Sequence, residues 1–117
     1  MKNKLLLAVG SIALLTACDA SKENEMEWFD HAVKTSGHQL LYMSEQLKNE
    51  PDTACFPRSI KEGKYRLEHP TDWTSGFYPG SMWLAYELTG DEVLAKEARK
   101  YTDRLQDMQY YTGNHDL

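Results

Sequence analysis
An all-α fold is what this 117-residue sequence predicts, on three observations. Apolar residues recur at helical spacing between Glu25 and Lys48. They recur again on either side of the pentapeptide LTGDE, residues 88–92. That pentapeptide itself carries the marks of one helix ending and another starting at once.

The first helix is expected over Glu25–Lys48. Met26, Phe29, Val33, Leu40, Met43 and Leu47 are spaced 3, 4, 7, 3 and 4 apart, which places them on one face. Gly37 weakens the interior, and Pro51 marks the end. Asp52 to Thr74 shows no helical period and carries Pro57, Gly63 and Pro70, so a long loop is expected there. A loop of about 20 residues is unusual in a compact domain unless it has a function or is disordered. Arg58, Lys61, Lys64 and Arg66 make it the most basic stretch of an acidic chain. Two readings suit it: a solvated loop, or a loop that helps hold an anionic ligand.

Pro79 suits the first turn of the second helix, whose apolar stripe is Met82, Trp83, Ala85, Tyr86 and Leu88. Gly90 suits a left-handed C-terminal cap and Asp91 an N-cap. Leu94, Ala95, Ala98, Tyr101, Leu105 and Met108 give the third helix its face. The tight break between the two makes a helical hairpin.

Composition adds little: 41% hydrophobic, 26% charged and a formal net charge of −5 describe an ordinary globular chain. The negative charge argues against non-specific nucleic-acid binding. The N-terminus is more telling. Lys2 and Lys4 precede an apolar run from Leu5 to Leu15, the layout of a secretory signal peptide and too short to span a membrane. LTAC, residues 15–18, resembles a bacterial lipobox, which implies cleavage before Cys18 and a diacylglycerol on its thiol. The expected organisation is a signal peptide over 1–17, a polar tether over 18–24, and a domain over 25–117. The implied location is the cell envelope, lipid-anchored in the periplasm or outer membrane of a Gram-negative bacterium. Cys55 is then the remaining thiol and is expected to be a small buried hydrophobe.

Two segments suggest chemistry: DWTSGFYPG (72–80) and the terminal NHDL (114–117). Trp73 beside Asp, Thr, Ser and Gly can form a sugar platform, its flat ring packed on the C–H face of a pyranose. Equally, Trp73 and Phe77 can pin the loop to the core. His115 and Asp116 taken alone fit a surface turn. No HxxxH spacing or carboxylate cluster accompanies them, so no metal is expected.

The string DWTSGFYPGSMWLAYELTGDE, followed by NHDL, resembles the N-terminal part of the unsaturated glucuronyl hydrolases, glycoside hydrolase family 88. FPRS, residues 56–59, resembles a segment that precedes the first motif. The likeness covers Phe56 to Leu117. It implies an (α/α)6 barrel of which this chain supplies about three helices, truncated inside a motif of the form H-D-[LI]-G-F. It implies hydrolysis of lyase-generated oligosaccharides by hydration of the C4=C5 enol ether of a terminal unsaturated uronic acid. By the same resemblance Asp116 is a catalytic aspartate assisting a second one further along, Trp73 stacks on the unsaturated sugar, and His115 shapes the subsite. No cofactor is implied. The fragment alone is expected to be inactive. The alternatives are a lipid-anchored, non-catalytic carbohydrate-binding helical module and a neighbouring unsaturated rhamnogalacturonyl hydrolase.

Overall fold
A computed structural model describes residues 26–113. The signal peptide, Cys18, the whole of the tether, His115 and Asp116 lie outside the described residues. The chain divides into two compact units, residues 1–32 and 33–117. Residues 26–32, the described part of the first, are the opening turns of a helix, with Met26, Trp28 and Phe29 exposed.

That helix, α1, runs over residues 26–47. In the second unit it is followed by strands β1 (Phe56–Lys61) and β2 (Lys64–Glu68), helices α2 (Phe77–Thr89) and α3 (Glu92–Asp103), and a short 3-10 helix (Gln106–Tyr110). The molecule is therefore mainly helical, as the periodicity predicts. The buried side of α1 holds Gly37, Ser44 and Leu47, with Leu40 and Met43 half-buried. Gly37 has a packing reason to be there. A Cβ on it would sit 3.3 Å from Leu94 Cδ1, so its bare backbone allows α3 close approach. Ser44 is buried because its hydroxyl donates to Glu97 on α3, which Lys100 also pairs at 3.4 Å.

The LTGDE break forms as expected. Gly90 adopts φ 70°, and its N–H donates to Tyr86 O at 2.7 Å, closing α2. Asp91 caps α3, its carboxylate accepting from Val93 N–H at 2.9 Å. Pro79 is the third residue of α2, where its missing N–H is one the helix leaves unpaired. The two helices are tied laterally by Trp83 Nε1, which donates to Thr102 Oγ1 at 3.0 Å. Helix α3 stops at Asp103, so Leu105 and Met108 continue its apolar face from the following turn and 3-10 segment.

Residues 56–68 depart from expectation. The sequence predicts a loop; the structure has a two-stranded antiparallel hairpin, with Phe56 opposite Glu68 and Lys61 opposite Lys64. Glu62 (φ 52°) and Gly63 (φ 75°) form the two-residue turn, both in the left-handed region that right-twisted hairpins favour. The register slips between Pro57 and Ser59, which leaves Arg58 as the extra residue of a β-bulge.

The core is centred on Tyr101, fully buried on α3. Its ring meets Tyr78 edge-on at 4.8 Å and Phe56 at 6.1 Å, and Cys55, Met82 and Ala98 complete the cluster. The Arg104 guanidinium lies over the ring at 4.8 Å and pairs with Asp52 through Nε at 2.7 Å. Phe56 thus carries the hairpin into the helical core, and Cys55 is the small buried hydrophobe expected, with burial pushing its thiol pKa up.

Candidate functional site
The DWTSGF segment is a turn built around Asp72. Asp72 N–H donates to His69 O at 2.9 Å, and Ser75 N–H donates to Asp72 O at 3.0 Å. Asp72 Oδ1 accepts from both Thr74 N–H (2.9 Å) and the Thr74 hydroxyl (2.5 Å), an Asx-type turn that runs straight into α2. Those two bonds hold the Asp72 carboxyl below its usual range, and the Arg58 charge adds to the effect. Phe77 N–H donates to Thr74 O at 3.1 Å and Gly80 N–H to Gly76 O at 3.0 Å, so turn and helix are continuous.

This frame presents Trp73. Its side chain is 47% exposed and is not part of the core cluster. The ring meets Phe77 edge-on, 5.7 Å between centroids, and the Arg58 guanidinium lies 5.9 Å from the ring centroid. Among the described residues Trp73 therefore lies beside the buried core and is not a member of it. The indole braces the exposed Phe77 and keeps much of its own surface available, as a platform requires.

Arg58 reaches the turn from the bulge in β1. Its Nη1 lies 3.0 Å from Asp72 Oδ2 and 3.8 Å from Glu68 Oε1. Arg66 Nε lies 2.9 Å from the same Glu68 oxygen, an ion pair whose angle is too poor for a hydrogen bond. Both arginines of the basic stretch are thus neutralised by carboxylates, while Lys61 and Lys64 sit exposed at the hairpin tip. Arg58 and Phe77, the two residues that meet the tryptophan, also line a groove of about 270 Å³ with Met43, Ile60, Tyr65 and Ser81, small for a ligand pocket.

The structure thus joins Trp73 to Arg58, a link that no sequence signal marks, since the two are 15 residues apart and meet only because the hairpin folds. His115 and Asp116 lie outside the described residues. Among the described residues no cluster of three His, Cys, Asp or Glu side chains is placed to hold a metal ion. No described helix is long and apolar enough to cross a membrane.

No family profile matches the chain. Individual proteins do. An unsaturated glucuronyl hydrolase of Formosa agariphila is 32% identical over 97% of this chain and 29% of its own length. An unsaturated glucuronyl hydrolase of Bacillus sp. is 40% identical over 48% of this chain and 17% of its own length. An unsaturated chondroitin disaccharide hydrolase of Streptococcus pyogenes is 29% identical over 83% of this chain and 23% of its own length. A crystal structure of an unsaturated glucuronyl hydrolase specific for heparin superposes with a TM-score of 0.67 at 38% identity, covering 77% of this chain and 24% of that one. The chain spans less than a third of the length of these relatives. The three described α-helices match the N-terminal part of the helical barrel, and the two-stranded hairpin is a minor element beside them.

Proposed function
We propose that this chain, a homologue of the unsaturated glucuronyl hydrolases, supplies the amino-terminal part of a glycosidase that removes a terminal C4=C5 unsaturated uronic acid from lyase-generated oligosaccharides. The observation that carries this is Trp73, half-exposed on a turn locked by Asp72 and Thr74, in a segment similar to hydrolases of that name. In the proposed reaction a carboxylic acid protonates C4 of the enol ether. The positive charge is shared between C5 and the ring oxygen. Water adds at C5 and loses a proton, the resulting hemiketal opens to a C5 ketone and a hemiacetal at C1, and the hemiacetal collapses to an aldehyde, releasing the remaining saccharide as an alcohol. This is a hydration and differs from displacement at the anomeric carbon.

In this scheme Trp73 stacks on the unsaturated ring, Asp116 assists the proton-donating carboxylic acid, and His115 shapes the subsite. The named substrates of the relatives, chondroitin disaccharides and heparin, suggest a uronyl-containing glycan as the source. Trp73→Ala in the full-length protein is expected to raise KM roughly tenfold, the usual scale for losing a large aromatic contact. Loss of the C=C ultraviolet absorbance of an unsaturated disaccharide follows the reaction. A Trp73→Ala enzyme with unchanged KM would remove the platform from the scheme.

We also propose that Cys18 carries lipid and anchors the protein in the bacterial envelope, supported by Lys2, Lys4, the short apolar run and LTAC. Labelled fatty acid should enter the wild-type protein and be absent from Cys18→Ser. Equal labelling of both would exclude this site.

A further inference from the structure
We propose that Arg58 is a positioning residue for Trp73, and that the bulge in β1 exists to deliver it. The proposal rests on the hydrolase scheme above. Trp73 stands on a turn, outside the core cluster and about half exposed, with its ring edge-to-face against Phe77. A platform that turns freely spends part of its time misaligned with the sugar. Arg58 restrains such turning. Its guanidinium is anchored at 3.0 Å to Asp72 Oδ2, on the residue directly preceding the tryptophan, and lies 5.9 Å from the indole centroid. Asp72 is itself fixed, because its other oxygen is held by Thr74. Glu68, 3.8 Å away and shared with Arg66, adds a second negative group on the hairpin side.

The bulge supplies independent support. In a regular ladder Arg58 would have its own partner on β2 and alternate in direction with Pro57 and Ser59. Instead Pro57 pairs with Leu67, Ser59 pairs with Arg66, and Arg58 is the unpaired residue between them. Bulges of this kind re-aim one side chain, often beside a functional site. Here the re-aimed side chain is the one that touches the tryptophan. The planar fork can bind a carboxylate and face an aromatic ring at once, which a lysine ammonium does less well.

The test is steady-state kinetics of the full-length protein on an unsaturated disaccharide, with thermal melting of each variant alongside. Arg58→Gln is expected to raise KM by about threefold to tenfold, the scale of an exposed cation–π contact and its anchor, with kcat within about twofold of wild type. Arg58→Lys is expected to fall between the two, and it serves as the readable variant if Arg58→Gln fails to fold. Adding Arg58→Gln to Trp73→Ala should raise KM no further. An unchanged KM in both Arg58 variants, with Trp73→Ala still impaired, overturns the positioning role alone. So does a rise that multiplies fully with that of Trp73→Ala. No KM effect of Trp73→Ala overturns the platform and the positioning role together. A lower melting temperature with unchanged KM marks Arg58 as structural only and rejects the proposal.

Discussion

Tyr101→Ala is expected to destabilise the helical core by about 3–5 kcal/mol, the range for removing a large buried aromatic side chain. Folded domains hold only about 5–15 kcal/mol in total, so the variant should be largely unfolded at moderate urea. The reason is position. Tyr101 joins Phe56 from the hairpin, Tyr78 from α2 and the Arg104 guanidinium around one ring. No neighbour can move in to fill the space without giving up its own contacts. Tyr101→Phe makes a sharp control. The hydroxyl is buried near Ser44 without forming a regular hydrogen bond among the described residues, and burial pushes its pKa up. Losing it should change stability by less than about 1 kcal/mol in either direction. Urea titrations of the two variants decide the matter. A phenylalanine variant as unstable as the alanine one would mean that the hydroxyl, and not the ring, holds the core.

Asp116→Asn in the full-length protein is expected to lower kcat by about 10²–10⁴-fold, the usual contribution of a group engaged in acid–base chemistry. Protonating an enol ether near neutral pH requires a carboxylic acid that keeps its proton. A second carboxylate close by provides this, because two like charges cannot both ionise at short range. Asparagine keeps the shape of Asp116 and removes the charge. The proton donor would then ionise at lower pH, and residual activity should persist only toward acid. Kinetics of Asp116→Asn across a pH series test this. Wild-type kcat in that variant would detach Asp116 from the proposed mechanism.

The parts legible in the sequence are those whose causes are local. Gly90 and Asp91 act on backbone groups within four residues, so helix end and helix start could be placed from five letters. Leu94, Ala95, Ala98 and Tyr101 repeat at the helix period and are all buried. On α1 the same logic is only half right. Met26 and Phe29 share the predicted stripe yet are exposed, while Gly37 and Ser44 are buried because of Leu94 and Glu97 far along the chain. The hairpin was hidden by its composition. Pro57 and four basic residues do not alternate cleanly with apolar ones, and the strands gain their stability through Phe56 and the turn. Glu62-Gly63 between SIK and KYRL was the available signal. Arg58 beside Trp73 had no signal at all, since the contact depends on a one-residue slip in strand pairing.

That slip also bears on solubility. A sheet of two strands has no interior strand, so among the described residues each strand has an outer row of backbone groups with no ladder partner. In β1 the row is interrupted twice: Pro57 has no N–H to give, and the bulge at Arg58 breaks the spacing that a new neighbour would have to match. Lys61 and Lys64 place like charges at the turn end. The residues that aim an arginine at a tryptophan therefore also discourage strand addition, and the hairpin can stand exposed without becoming a seed for aggregation.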